Sequence, residues 1–157
     1  MVDESYQQIM DQLILAGSEL QSRILRNFLT DLNFNKFGPR IVSALDKMEL
    51  AVPFKFPLQE GSLIYSDYMN LPSDIQKWIR DYLIWFRDCE AFFEKTGLMK
   101  SEVAMNVLTP RFVFPEYLRQ IIENREMMED PSMIASSMLR VVMRQVFYLE
   151  QLVKSPP

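Results

Sequence analysis

The fold is decided by residues 73–95, SDIQKWIRDYLIWFRDCEAFFEK, which carry the clearest helical pattern in the chain. Apolar residues recur there at steps of three and four, and this spacing places them on one face of an α-helix. Trp85 and Phe92 widen that face, so we expect a central helix that contacts neighbours on more than one side. The predicted buried stripe consists of Ile75, Trp78, Ile79, Tyr82, Leu83, Phe86, Cys89 and Phe93.

The residues after this helix predict how it ends. Gly97 is typical of the left-handed residue that terminates a helix, and Leu98 is then expected to pack back against it. Ser101 is suited to cap the N-terminus of a short helix that ends near Leu108. A long helix followed by a short one is therefore predicted here.

Four more helices follow from the same periodicity, over residues 4–32, 39–49, 116–128 and 132–154. The apolar segment 50–72 contains several prolines, so we expect it to pack irregularly, with a short hairpin as the alternative. Five or six helices without a confident strand predict an all-α fold. We expect a single compact helical bundle that spans the whole chain, because 157 residues is the common size of one domain.

The composition excludes several classes of enzyme. The chain has 21 acidic and 17 basic residues, one cysteine and no histidine. Because Ser-His-Asp catalysis, Cys-His catalysis and the usual zinc and haem sites need imidazole, this chain cannot build them alone. The four glycines are too widely separated for a phosphate-binding loop. We therefore expect no catalytic activity and no cofactor.

A cytoplasmic location is the expectation from three features. One cysteine excludes a disulfide within the chain, and the acidic N-terminus lacks the pattern of a signal peptide. No apolar run approaches the roughly 18–20 residues that a membrane span needs. We therefore expect no membrane span.

Acidic clusters are the first candidate for a metal site. A di-metal site in a helical bundle needs about four converging carboxylates, and no second pair stands at a matching spacing. Exposed charge is therefore the simpler interpretation. The acidic residues considered are Asp88, Glu90 and Glu94 in one group and Glu123, Glu126 and Glu129 in another.

Cys89 is the only candidate nucleophilic thiol. It lies on the apolar stripe, between Asp88 and Glu90. Burial and nearby negative charge both raise the pKa of a thiol, so we expect a packed and unreactive side chain.

Residues 92–108 have the spacing of a helix-turn-helix, which raises the question of DNA binding. The helix that would enter the groove carries Glu102 and has only Lys100 beside it. Phosphate contacts need clustered Lys and Arg, so the sequence disfavours nucleic acid as a partner.

The 11 methionines favour a protein interface, because methionine adapts to irregular partner surfaces. The final helix is apolar over more than half of its circumference, and Met143 lies at the margin of its stripe. A broad core is the alternative interpretation. The predicted interface residues are Ile134, Met138, Val142, Met143, Val146 and Leu149.

The sequence therefore predicts a non-catalytic protein-interaction module, such as an adaptor, a regulator or an assembly subunit. Its partner is expected to be another protein or a second copy of the chain. The alternative is a sensor that binds a hydrophobic small molecule between helices, with Trp78, Tyr82 and Trp85 as walls of the pocket. A carboxylate-metal enzyme and a DNA-binding regulator rank behind these two.

Overall fold

The computed structural model describes residues 4–31, 34–38, 40–41, 44–45, 68–109 and 133–154. These residues are mostly helical and contain no β-strand, so the all-α prediction is confirmed for this part of the chain. None of the described helices is long and apolar enough to cross a membrane. Four α-helices have both ends within the described residues: α1 (Glu4–Arg23), α2 (Ser73–Thr96), α3 (Glu102–Leu108) and α4 (Met133–Lys154).

Two of the predicted helices are described only in part or not at all. Residues 40–41 and 44–45 are helical, and Ile41 and Leu45 are fully buried as expected for the helix predicted over 39–49. Residues 50–67 and the helix predicted over 116–128 lie outside the described residues. The total of five or six helices therefore stays a prediction, and so does the single domain.

The first helix is shorter than its periodicity predicts. The α-helical pattern ends at Arg23 and continues as a π-helical turn over Ile24–Phe28, where the Leu29 amide donates to the Ile24 carbonyl at 2.9 Å. Ile24 and Phe28 are both buried, so the wider turn keeps the apolar face directed inward. The ring of Phe28 then stacks on Phe34, with 4.7 Å between the centroids, in the 3-10 turn Phe34–Phe37.

Two tryptophans fix the register between α1 and α2. The indole N–H of Trp78 donates to the Leu20 carbonyl at 3.1 Å, and that of Trp85 donates to the Leu13 carbonyl at 2.8 Å. Both donors and both acceptors are seven residues apart, and their order is reversed between the helices. The helices are therefore antiparallel, and each buried indole has the hydrogen-bond partner that its burial requires.

α4 packs against α1 on one side and against α3 on another. Gly17 permits the first contact, because a Cβ atom there would lie 2.6 Å from Cγ2 of Val146 and 2.9 Å from Cζ2 of Trp85. Gly38 approaches Ile134 so closely that a Cβ atom would overlap its side chain. Since residues 17 and 38 meet α4 at 146 and 134 respectively, this part of the chain runs antiparallel to α4.

The predicted turn after α2 is confirmed. Gly97 has a φ of 74°, the Leu98 amide donates to the Phe93 carbonyl at 2.8 Å, and the Gly97 amide donates to the Glu94 carbonyl at 3.3 Å. These two bonds form the Schellman motif, and they satisfy carbonyls that a helix end otherwise leaves unpaired. Ser101 caps α3 as predicted, since its hydroxyl accepts from the Ala104 amide at 3.1 Å.

An ion pair also joins the two antiparallel helices. Oδ2 of Asp81 accepts hydrogen bonds from Arg23 at 2.7 Å and from Lys77 at 3.0 Å. Burial alone would raise the pKa of Asp81, but the hydrogen bonds from Lys77 and Arg23 outweigh it and hold the pKa below its ordinary value.

We expect Asp81→Asn to lower the stability by about 1 kcal/mol at neutral pH. The pKa of Asp81 is lower in the folded chain than in the unfolded chain, where it is about 3.9. The carboxylate therefore stabilises the fold fully at a pH above the unfolded-state pKa, and this stabilisation is lost as the pH falls through the folded-state pKa. Urea unfolding of both proteins should therefore show a difference that shrinks towards acid. A difference that stays constant down to pH 2 would contradict this role of the carboxylate.

Candidate interaction surface

The inner face of α4 forms part of the core. Of the six residues predicted for an interface, five are buried within the chain, with exposed fractions of 0 to 3%: Ile134, Met138, Val142, Val146 and Leu149. They are covered by the other elements, including α1 and α3, so they are not accessible to a partner while the chain is folded. Only Met143 of the predicted set is exposed, at 50%.

Opposite the core, α4 presents a second line of residues. Phe147 is 54% exposed and lies one turn from Met143, so two large apolar side chains stand next to each other in solvent. Phe147 precedes the buried Leu149 by two residues, which turns it about 200° around the helix. We call the following line the outer face of α4: Ser136, Arg140, Met143, Phe147, Glu150 and Lys154.

A buried glutamine holds α4 in this orientation. Gln145 is 1% exposed, and the Tyr82 hydroxyl donates to its Oε1 at 2.8 Å. Its Nε2 donates to the Val107 carbonyl at 2.8 Å. One side chain therefore links α2, α3 and α4 through hydrogen bonds in a buried environment, where unpaired polar groups are costly. Since these bonds require Gln145 to point inward, they also fix which residues of α4 point outward.

Arg144 borders the outer face but is already engaged within the chain. Its Nη2 donates to Oδ1 of Asn106 at 3.0 Å, and its guanidinium lies 5.8 Å from the centre of the Tyr148 ring. The hydrogen bond to Asn106 ties α4 to α3 beside an open groove of about 450 Å³, which Met105 and Val141 help to line. Arg140, one turn earlier, forms no ion pair with any described residue.

The three aromatic residues predicted as pocket walls have different surroundings. Trp78 and Tyr82 are fully buried, and their rings stack with 5.3 Å between the centroids. Both belong to the hydrophobic core of the described residues. Trp85 does line an open groove of about 490 Å³ between α1 and α2, together with Ile84 and Phe92.

Of the acidic and cysteine candidates, the structure describes Asp88, Cys89, Glu90 and Glu94. No three Asp, Glu or Cys side chains of the described residues come close enough together to hold a metal ion. Glu123, Glu126 and Glu129 lie outside those residues. Cys89 is fully buried, as predicted, and burial together with the nearby Asp88 raises the pKa of its thiol.

The structure contains two helices joined by a short turn at the predicted positions, since Gly97 ends α2 and Ser101 caps the start of α3. The second helix carries no basic residue, and its buried residues Ala104 and Val107 pack inward. The helix that would enter the groove therefore lacks the cations that phosphate contacts require.

Comparison with protein-family models, with curated proteins and with solved structures finds no match for this chain.

Proposed function

We propose that this chain is a non-catalytic protein-interaction module, an adaptor, regulator or assembly subunit of the cytoplasm, that binds its partner through the outer face of α4. The observation that carries the proposal is the pair Met143 and Phe147, which are 50% and 54% exposed on a helix whose opposite face is fully occupied by the core. The two side chains are adjacent, and a contiguous exposed apolar patch is a candidate for a protein interface.

The chemistry of this pair suits binding to a protein. Aromatic residues and methionine are enriched at the centres of protein interfaces, where they remove large apolar areas from water. Arg140 and Glu150 flank the pair along the same line and supply the polar rim that such a centre needs. Because α4 is held by Gln145 and by packing on α1, the surface is rigid before it binds.

The proposal is tested by photo-crosslinking in cells that produce the protein. A photoreactive amino acid replaces Phe147 in one variant and Met143 in another, and covalent adducts are resolved by mass. We expect adducts at both positions, because a side chain at the centre of an interface lies against the partner.

Leu15 and Leu25 provide the matched controls. They are 71% and 50% exposed, and they lie on α1 and on the π-helical turn, away from the outer face of α4. The proposal predicts few adducts from these positions. Equal yields from all four positions, or no adduct from Met143 and Phe147, would overturn it.

A hydrophobic-ligand sensor is the second candidate, and the groove between α1 and α2 is the observation that favours it. The groove has a volume of about 490 Å³, which is within the usual range for small-molecule sites, and Trp85 lines it. The sensor reading predicts that an aromatic or lipid-like compound raises the unfolding temperature. It also predicts that Ile84→Asp, a change at the 43% exposed edge of the groove, removes this effect without unfolding the chain.

A further inference from the structure

The outer face of α4 carries a short apolar centre between charged residues. Its six residues follow one another at intervals of four, three, four, three and four, from Ser136 to Lys154. Residues at such steps share one face of an α-helix, so a partner helix laid along this face can contact all six. The apolar residues Met143 and Phe147 occupy its middle, and charged residues occupy the positions on both sides.

From the placement of these apolar and charged residues we infer that the partner is a second copy of this chain, whose α4 lies antiparallel across the same face. The inference rests on the proposed function and specifies its partner. In a two-fold interface residue i meets residue j, and j meets i. With the axis at the level of residue 145, Met143 of one copy faces Phe147 of the other, and Arg140 of one copy faces Glu150 of the other.

In this register the dimer contains two Met143–Phe147 contacts and two Arg140–Glu150 pairs, and the two members of each pair complement each other chemically. The two Met143–Phe147 contacts form a continuous apolar centre, and methionine sulfur packs favourably against an aromatic ring. The two Arg140–Glu150 pairs then close the centre at its ends, with opposite charges facing each other. Glu150, like Arg140, forms no ion pair with any described residue, so both charges are available.

A parallel pairing of the same faces would be unfavourable. In that arrangement each residue meets its own counterpart, so Arg140 faces Arg140 and Glu150 faces Glu150. Like charges placed opposite each other are destabilising, and Lys154 would add a third such pair. The charges on this face therefore select the antiparallel direction.

The expected dimer is weak. A helix pair of this length buries less area than the roughly 1,200–2,000 Å² of a stable interface, so we expect a dissociation constant on the order of tens of micromolar. The protein should therefore pass from monomer to dimer over a concentration range that can be measured directly.

The test is a charge-reversal cycle followed by sedimentation velocity of the full chain across the micromolar range. Arg140→Glu places two like-charged pairs in the interface, and we expect it to weaken the dimer about tenfold. Glu150→Arg should do the same. The double variant, Arg140→Glu with Glu150→Arg, restores the opposite charges and should bring the dissociation constant back to within about threefold of the unmodified chain.

Lys100→Glu is the matched control, because it changes the net charge by the same amount in the exposed turn between α2 and α3. It should leave the dimer unchanged. If the double variant dimerises as weakly as the single variants, the antiparallel register is wrong. If the unmodified chain remains monomeric at all concentrations, a second copy is not the partner. In either case adducts from Phe147 would still support the proposed function, whereas their absence would remove that function itself.

Discussion

Met138→Asp is expected to abolish the native fold. The side chain of Met138 is 1% exposed in the core between α4 and its neighbours, so an aspartate there would bury an unpaired charge. The lost packing alone costs about 2–5 kcal/mol, and the buried charge adds to it, which approaches the whole stability of a domain, about 5–15 kcal/mol. Far-ultraviolet circular dichroism and urea unfolding measure the effect.

Met143→Asp is the matched control on the same helix. Met143 is 50% exposed, so the aspartate stays in water and the stability should change by less than about 1 kcal/mol. The two substitutions differ only in the side of α4 on which they lie. If Met138→Asp kept its fold and merely changed the association state, the inner face would be an interface and not core.

Trp78→Ala is expected to lower the free energy of unfolding by about 3–5 kcal/mol. The Trp78 side chain is fully buried, stacks on Tyr82, and donates to the Leu20 carbonyl. Alanine removes the indole from the contact between α1 and α2 and leaves a cavity. The remaining fluorescence of Trp85 reports the unfolding transition in urea, because the chain has only two tryptophans.

Trp78→Phe separates packing from hydrogen bonding at this position. Phenylalanine keeps an aromatic ring but lacks the indole N–H, so we expect a loss clearly smaller than that of Trp78→Ala. A loss below about 1 kcal/mol for Trp78→Ala would show that the indole does not hold the two helices together.

Helices with strong periodicity and clear caps could be predicted from the sequence. The pattern of α2 predicts its buried residues because Ile75, Trp78 and Tyr82 recur at helical spacing on one face. Gly97 and Ser101 predict the turn after it because their own chemistry determines the local hydrogen bonds. Each of these predictions depends on residues close together in the chain.

The orientation of α4 could not be predicted in the same way. Apolar residues cover more than half of its circumference, so the periodicity does not decide between Phe147 and its neighbours. Burial of Gln145 depends on Tyr82 and Val107, which lie far away in the sequence. A local signal did exist, since Gln145 stands seven residues from both Met138 and Leu152, which are buried.

The π-helical turn and the close approach at Gly17 also could not be predicted, because they too depend on tertiary packing. The neighbours of Gly17, Val146 and Trp85, are identified only by the three-dimensional packing. Five of the six residues predicted for an interface lie on the buried side of α4. The short-range periodicity of the sequence identifies an amphipathic helix, whereas tertiary contacts determine which of its apolar residues remain exposed to solvent.

The methionines allow the most direct measurement of association through the outer face of α4. With carbon-13 in the methionine methyl groups, each methyl reports its own surroundings by NMR. Met143 should shift progressively as the protein concentration rises, whereas the buried Met10 and Met138 should not. A Met143 signal that stays constant across the micromolar range, while another exposed methionine such as Met69 or Met105 shifts, would contradict the proposal.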